Sequence, residues 1–503
     1  MTRVLLLIER SRLSRWHLWL TAALTAIGCA VAIRLDGRTP ARARSLGLLI
    51  ELERLVRGRG AAHATDVVDG SLVAACINAD DIANDPEIVL DLGGGDTPRP
   101  DAALVLTLHF DNSAGEDAMW AALLEHRAPL VAIARSSRER PTPVALPALE
   151  QPLALQHSAD AVLSRVVDTL ALSVRAAQSG TPLIARAAPL DQDSLPRPVP
   201  SVVSAAAHLA SLVAAKARKR LDFYMGNAPQ WAVGWRRTAS AKREIPAEFE
   251  LSRFSRLRCD GKRYYADPFL FRHEGSDFLF VEELPYATGR GIISVATIGT
   301  DGRACLPRPV LERPYHLSYP QVFARDGAIW MLPEASASGG LELYRAEAFP
   351  DRWVLAARLI DTAVHDATLF EHDGRLWIAA GSVSHASSSW DGLNLYHSDR
   401  LLGPWRPHAL NPVLIDARSA RPAGELFQGQ VGLWRPAQDC TQGYGGALTL
   451  ARVTTLDPER FEQCAVQTVR MSDAPRCLGP HTWNVAGRLE AIDYFAPSGP
   501  ARS

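Results

Sequence analysis

A motif that recurs about every fifty residues limits the fold of the second half of this chain more than any other feature. Five stretches place an aromatic residue shortly before a glycine: ADPFLFRHEG, SYPQVFARDG, VHDATLFEHDG, PAGELFQGQVG and LGPHTWNVAG. The aromatic anchors are Phe271, Phe323, Phe370, Phe427 and Trp483, separated by 52, 47, 57 and 56 residues. A second apolar strand pattern follows each turn. Strand-only repeats of this length are typical of propeller blades, so we predict a five-bladed β-propeller over residues 246–503.

The first half of the chain has a different pattern. Residues 1–200 alternate strand-like runs such as RVLLLIE (3–9) with helical ones such as HSADAVLSRVVDTLALSVRAA (157–177). Alternation of this kind is typical of an α/β domain. The predicted fold class is therefore a Rossmann-like α/β domain with a mainly parallel sheet, followed by the all-β propeller. Residues 201–245, which include KARKR (216–220), are predicted to be a linker with a basic helix.

An uncharged run near the start allows two interpretations. LWLTAALTAIGCAVAI (18–33) follows three arginines, as a secretory signal or a short membrane anchor would. A strand–helix–strand unit also explains it, and that interpretation predicts a packed helix over 18–28. Seven cysteines without a CxxC pair fit a reducing compartment. We expect a cytoplasmic protein whose membrane association, if any, is peripheral.

Charge and glycine patterns exclude some ligands and leave others undefined. The net charge of −1 provides no general attraction to nucleic acid, so none is expected as a partner. The turn DLGGGDTP (91–98) lacks the GxGxxG pattern of dinucleotide sites. The cofactor, if the protein has one, is unknown, and no metal motif is recognised.

Alignment of the five repeats singles out acidic residues at matching positions. Asp267 and Asp366 both stand four residues before their anchors, where the second repeat has Tyr319. Alternate residues of a strand share a face, and the first strand of a blade lines the central channel. Both carboxylates are therefore expected to face one mouth of the channel. In the second strands, Glu283 and Glu334 occupy positions that this alignment treats as equivalent.

These positions define the candidate site. The candidate catalytic residues are Asp267, Asp366, Glu283 and Glu334. The candidate substrate-binding residues are polar or aromatic groups of the same stretches, such as stack on sugars and hydrogen-bond them: His316, Tyr319, Gln321, His365, Arg421, Glu425, Gln438 and Asp439. The competing interpretation is that the aspartates cap turns, that the glutamates at the strand ends are solvated, and that the polar and aromatic groups pack between blades.

Residues from about 260 to 460 resemble the N-terminal propeller domain of plant glucosamine inositolphosphorylceramide transferases and its bacterial relatives. The resemblance rests on YYADPFLF, HLSYPQVF, MLPEA, FPDRW, GPW, ARPAG and RPAQDC…YG. That domain is similar to the five-bladed propellers of glycoside hydrolase family 43. The resemblance implies a base-like or nucleophile-like role for Asp267 and a pKa-tuning role for Asp366.

One element of the hydrolase pattern is missing. Those hydrolases supply a general-acid glutamate from the start of the fourth blade, where this chain has Arg421 and, a few residues later, Glu425. Glycoside hydrolysis needs two carboxyl groups, one of them protonated. An arginine would instead keep nearby carboxyls ionised, or would bind a phosphate or uronate. Simple hydrolysis is therefore not expected.

The first half resembles formyltransferase-like domains that are fused to this propeller in bacteria. Such enzymes need an asparagine, a histidine and an aspartate around the formyl donor. LTLHFDNSAGEDAMW (106–120) offers His109, Asp111 and Asn112, although not in the usual arrangement. A degenerate scaffold is the simpler interpretation.

Three functions remain open at this point. The first is a carbohydrate-active enzyme that acts on a glycan, glycolipid or nucleotide sugar at the channel mouth, by glycosyl transfer or processing in surface polysaccharide assembly. The second is a non-catalytic sugar-binding propeller. The third is a formyl- or acyl-transferase in which the propeller recognises the sugar. Under the first, Asp267→Asn is expected to abolish binding or turnover with little change in stability, because an exposed carboxylate contributes little packing.

Overall fold

The computed structural model describes residues 1–36, 44–57, 62–77, 79–93, 104–135, 139–181, 202–224, 230–240, 243–474 and 477–496. The chain forms two compact units. The first comprises residues 1–219 and 383–388, and the second comprises residues 220–382 and 389–503.

A seven-stranded mixed sheet forms the centre of the first unit. Its strands are Thr2–Glu9, Cys29–Asp36, Ile88–Asp91, Leu104–Phe110, Ser113–Ala114, Val131–Ala134 and Thr142–Ala145. The first four run parallel, with Thr2–Glu9 between the second and the third. The remaining strands join antiparallel. The predicted α/β character is confirmed, whereas the sheet is mixed and a Rossmann-like arrangement stays a prediction.

Seven α-helices occur among the described residues. They are Arg15–Ala26, Arg44–Arg57, Ala74–Ile77, Asp80–Asn84, Glu116–Leu124, Leu155–Gln178 and Val202–Tyr224. The uncharged run is a strand–helix–strand unit, as predicted: Trp16, Leu20 and Leu24 are buried along one face of its helix. In the described part of the chain, no helix is long and apolar enough to cross a membrane.

The residues proposed for formyl transfer have a structural role in this unit. Asp111 and Asn112 have φ angles of 48° and 67° and form the two-residue turn between paired Phe110 and Ser113. Turns of this type require positive φ at both central residues, which asparagine and aspartate tolerate. The Asp111 carboxylate accepts hydrogen bonds from Arg127 (2.5 Å) and from the Leu130 amide (2.8 Å). A formyltransferase-like site therefore has no support here.

Five antiparallel sheets form the second unit, one for each predicted repeat. Blade 1 contains Arg263–His273, Ser276–Pro285, Ile292–Ile298 and Arg308–Leu311, and blade 2 contains Ser318–Arg325, Ala328–Glu334, Leu341–Ala348 and Arg352–Ile360. Blade 3 contains His365–His372, Arg375–Gly381, Gly392–Ser398, Arg406–Pro407 and Leu414–Ile415. Blade 4 contains Phe427–Gly429, Gly432–Asp439, Ala447–Leu456 and Phe461–Val469. All five anchors lie in first strands, and the five-bladed propeller is confirmed.

The fifth blade takes strands from both ends of the propeller sequence. It contains Trp483–Ala486, Leu489–Ala496, Gln230–Arg237 and Ser255–Arg256. Gln230–Arg237 pairs antiparallel with Leu489–Ala496, so this strand closes the ring. It lies inside the segment predicted to be a linker, and the propeller therefore begins before residue 246. Apolar side chains pack between neighbouring blades, for example Phe269, Phe280 and Met331 between blades 1 and 2.

Candidate functional site

The first strands of blades 1, 2 and 3 share a backbone distortion at the predicted site position. Asp267, Tyr319 and Asp366 have φ angles of 50°, 48° and 48°, and each lies where the pairing with the second strand shifts register. A left-handed conformation costs an ordinary residue about 1–2 kcal/mol. Such outliers cluster at functional sites. The repeat alignment thus located a bulge that blades 1, 2 and 3 have in common.

Asp267 connects three blades and is buried. One carboxylate oxygen accepts a hydrogen bond from the Thr482 hydroxyl (2.9 Å) and lies 3.3 Å from Nε2 of His481, and the other accepts the Tyr319 amide (3.2 Å). Only 4% of the residue is exposed. The expectation of an exposed carboxylate is therefore wrong, because the bulge directs Asp267 between blades. Its partners come from blades 2 and 5.

His481 is held between two carboxylates. Its Nδ1 lies 2.6 Å from Asp493 and its Nε2 faces Asp267. Burial lowers the pKa of the imidazole, but the two carboxylates outweigh that effect and raise it to about 10. His481 is thus a buried imidazolium that neutralises both neighbours.

The same three residues offer donor atoms within 4.8 Å of one another, as a metal site would. Binding a cation would require His481 to lose its proton. Asp493 already accepts hydrogen bonds from the Thr482 and Asp267 amides at 2.8 Å. The donor set therefore suits the imidazolium better than a metal ion.

Asp366 forms the centre of a second buried group. Its Oδ2 accepts hydrogen bonds from Nε of Arg421 (2.6 Å) and from the Gln438 amide group (3.1 Å), both supplied by blade 4. Burial raises the pKa of Asp366, and nearby Glu334 raises it further, although Arg421 opposes both. Glu334 accepts hydrogen bonds from the Asp366 amide and the Ser336 hydroxyl, each at 3.0 Å. Arg421, which the sequence places at the start of blade 4, is therefore the cationic partner of Asp366.

Glu334 and Asp366 form an unequal pair of carboxyls. Burial alone would raise the pKa of Glu334, but its hydrogen bonds and ion pair with His365 hold it below the ordinary value. The pKa of Asp366 is shifted in the opposite direction. Neighbouring carboxyls whose pKa values are driven apart can serve as proton donor and charge stabiliser. This is the acid–base capability of the site.

The structural equivalent of Glu334 in blade 1 is Glu282 and not Glu283. Phe271 pairs with Phe278, and Phe323 pairs with Trp330. The residues four positions after Phe278 and Trp330 are Glu282 and Glu334. A shift of one residue along a strand reverses the face. Glu283 accordingly points away from the channel group, where it pairs with Arg263 and accepts a hydrogen bond from Ser294 (2.7 Å).

Glu282 faces the mouth beside a histidine from blade 2. One of its oxygens lies 3.1 Å from Nε2 of His316, whose Nδ1 accepts the Gly291 amide (3.0 Å). That amide fixes the tautomer, so Nε2 carries the hydrogen toward Glu282. Burial raises the pKa of Glu282, and Asp267 contributes to the increase. Within the described residues, the second oxygen of Glu282 has no hydrogen-bond partner. The Asp366 carboxyl, in contrast, also shares a hydrogen bond with the Glu334 carboxylate.

Four predicted residues have structural contacts instead. The hydroxyl of Tyr319 contacts Thr368 of blade 3 (2.9 Å) and accepts the Gly424 amide of blade 4. Gln321 exchanges two hydrogen bonds with the Leu369 backbone. Asp439 caps a turn by accepting from Thr441. Glu425, the late candidate for the acid, is half-buried near Arg243, and none of its contacts in the described structure involves Asp267 or Asp366.

Three aromatic residues at the mouth were missed by sequence reasoning. The ring of Trp231 lies 4.0 Å from that of His481, and Tyr444 lies 5.2 Å from His481 and 5.4 Å from Trp390. All three aromatic side chains are half-buried. The YG of the family resemblance was the available signal for Tyr444. Trp231 had none, because its strand lies outside the repeats.

Burial is the largest cause of the raised pKa of Tyr444, and the carboxyls of Asp366, Asp267 and Glu334 raise it further. Tyr444 therefore lies close to acidic groups from blades 1, 2 and 3, although it belongs to blade 4. Contacts of Tyr444 also link the two aspartates, since its ring lies 5.2 Å from that of His481, the partner of Asp267, and its hydroxyl accepts a hydrogen bond from Arg421, the partner of Asp366. A common end of the channel stays a prediction.

Comparisons with known proteins match the propeller. Residues 258–494 match the family model described as the N-terminal region of glucosamine inositolphosphorylceramide transferase 1. The rice (Oryza sativa subsp. japonica) protein of that name is 34% identical over 225 residues, which is 44% of this chain and 30% of the relative. The Arabidopsis thaliana protein is 32% identical over 225 residues, 44% of this chain and 29% of the relative. The predicted resemblance is confirmed, and this chain spans under a third of these relatives' length.

Solved structures include more distant matches. A family 117 glycoside hydrolase of Zobellia galactanivorans is 13% identical, covering 54% of this chain and 91% of its own, with a TM-score of 0.34. An exo-beta-1,3-galactanase from Clostridium thermocellum is 13% identical, covering 46% and 59%, with a TM-score of 0.35. Similarity at this level does not bear on activity.

Proposed function

We propose that this chain is a carbohydrate-active protein that binds a glycan or glycolipid at the propeller mouth and acts on it by glycosyl transfer or processing. The cytoplasm and surface polysaccharide assembly are the proposed setting. The observation that carries the proposal is a set of contacts that joins carboxyls of unequal pKa to aromatic rings within the propeller. Sites of this composition suit sugars, which present apolar faces and a rim of hydroxyls. The matched relatives are named glucosamine inositolphosphorylceramide transferase 1, which is consistent with this class.

Glu282 and Asp366, the carboxyls with raised pKa values, are the best candidates for contact with the substrate. Asp366 and Glu282 both have raised pKa values, so either could donate a proton to a leaving oxygen. Glu334 then acts as the ionised neighbour that keeps the proton on Asp366. Asp267 contributes through His481 and the blade contacts rather than by direct contact.

A second function is favoured by one specific observation. Asp267 and Glu334 have both of their oxygens engaged by protein groups. A saturated carboxylate is a poor base, and this favours a non-catalytic sugar-binding propeller as the alternative.

A glycan-array screen of the full chain, followed by mass spectrometry of the bound glycans after incubation, tests both functions. Binding with a change of mass supports the enzyme, and binding without one supports the module. Absence of binding to any glycan would contradict both. Glu282→Gln should lower binding or turnover, whereas Glu283→Gln, on the opposite face, should leave both unchanged.

A further inference from the structure

The aromatic rings at the mouth are placed by a glycine turn. Tyr444 lies between Gly443 and Gly445, which have φ angles of 115° and 62°. A Cβ atom on Gly445 would come within 2.7 Å of His481 Cβ and 2.8 Å of the Trp231 ring. Only glycine fits both the backbone and the space. The turn thus brings Tyr444 against the residues that hold Asp267.

The rings form a continuous wall beside the charged groups. Tyr444 meets Trp231 edge to face, at 5.8 Å and 83°, and its ring is tilted by 34° against that of Trp390 at 5.4 Å. The Arg421 guanidinium lies 5.0 Å over the Tyr444 ring and donates to its hydroxyl at 3.4 Å. This hydroxyl stays protonated, because burial raises its pKa well above the ordinary value. With Arg421 as its donor, the hydroxyl retains its own hydrogen for a ligand oxygen.

The surrounding charge limits the ligand. Five carboxyl groups lie near this wall: Asp267, Glu282, Glu334, Asp366 and Asp493. Arg421 and the His481 imidazolium offset part of their charge, and the raised pKa values of Glu282 and Asp366 reduce it further. A phosphate-bearing ligand would meet repulsion from those that are ionised. A pyranose suits the wall better, since one face of its ring is apolar and its hydroxyls can meet the carboxyls and the Tyr444 hydroxyl.

We propose that Trp231, Tyr444 and Trp390 form the stacking wall of an uncharged pyranose subsite, in which Tyr444 also donates a hydrogen bond to the sugar. The inference rests on the proposed function and adds the residues and the ligand class to it. None of these three residues belongs to the carboxyl–histidine machinery described above.

The test measures binding of methyl glycosides of glucose, galactose and N-acetylglucosamine, with a nucleoside monophosphate for comparison, to the full chain. Saturation-transfer NMR identifies the sugar protons that contact the protein, and titration gives Kd. Trp231→Leu and Trp231→Phe are matched variants, because both keep an apolar side chain and only one keeps a ring. Thermal melting verifies that each variant is folded.

We expect at least one glycoside to bind, with saturation strongest on the C–H protons of one ring face. Trp231→Leu should weaken it about tenfold, equivalent to about 1.4 kcal/mol, and Trp231→Phe by less than about threefold. Tyr444→Phe should weaken it about tenfold while preserving the saturation pattern. Unchanged affinity in Trp231→Leu and Tyr444→Phe, or preference for the nucleotide, would overturn the subsite and leave the proposed function standing. Failure of every glycoside to bind the wild-type chain would overturn both.

Discussion

Asp267→Asn isolates the charge of a buried carboxylate from its shape. Asparagine tolerates the left-handed φ of 50° at this position, so the substitution adds little backbone strain. In the wild type, one carboxylate oxygen accepts the Tyr319 amide and the other accepts the Thr482 hydroxyl. Asparagine can keep only one of these hydrogen bonds, because its NH₂ group cannot accept the other. It also leaves the buried His481 imidazolium with Asp493 as its remaining carboxylate partner in the described structure.

Breaking a buried ion pair by removing one partner costs about 3–5 kcal/mol. Because asparagine retains one hydrogen bond, we expect a loss of about 3 kcal/mol in the free energy of unfolding. For domains of 150–250 residues this corresponds to a decrease of about 6–12 °C in Tm. Thermal unfolding followed by circular dichroism measures it. The control is Asp373→Asn, whose carboxylate side chain is 87% exposed and should change stability by less than about 0.5 kcal/mol.

A double-mutant cycle with His481→Gln assigns the loss to the ion pair. The two single substitutions should be non-additive, with a coupling of about 1–3 kcal/mol. A Tm of Asp267→Asn within error of the control would refute the reasoning. The carboxylate would then be an exposed group, as the sequence alone led us to expect.

Three further predictions follow from the same group of residues. The pKa of His481 is raised to about 10 in the folded protein. The stability that His481 contributes is therefore complete below the unfolded pKa of 6.5 and is lost as pH rises through about 10. Urea unfolding between these pH values should show this decline in the free energy of unfolding, and His481→Gln should make that free energy less dependent on pH. Gly445→Ala should lower Tm more than Gly289→Ala, because both glycines have φ near 60° but only Gly445 has atoms within 4 Å of the added Cβ; equal effects would contradict the close approach. The pKa of Glu334 is lowered, so the stability that its carboxylate contributes is present above about pH 4.5 and is lost on acidification. Glu334→Gln should therefore reduce the decrease of Tm at low pH. An unchanged decrease would count against the lowered pKa of Glu334.

The blade count was predictable because each repeat carries its own anchor, turn and second strand. Phe271, Phe323 and Phe370 define the bulge position by counting alone, and the alignment therefore paired Asp267 with Asp366, which share that bulge. The closing strand Gln230–Arg237 was not predictable in this way. It pairs with Leu489–Ala496, more than 250 residues away, and no repeat unit contains it.

The repeat pattern of the sequence could not determine which side chains are buried or the exact register of the second strands. An aspartate at a strand entrance can face solvent or a neighbouring blade, and the His481 partner that decides this for Asp267 comes from a different repeat. The second strands were aligned by composition, so Glu283 was chosen where the pairing of Phe271 with Phe278 selects Glu282. A one-residue error is sufficient to exchange a channel-facing group for a blade-facing one.

The central claim is that the propeller mouth binds a sugar, and the most direct measurement compares adjacent glutamates. The glycan bound most strongly on the array is titrated against full-length wild type, Glu282→Gln and Glu283→Gln. We predict that Glu282→Gln weakens binding about tenfold or more, as expected for loss of a charge-assisted contact, while Glu283→Gln binds as wild type even if its Tm falls. Equal affinities for all three proteins, or a loss confined to Glu283→Gln, would contradict a site at this mouth.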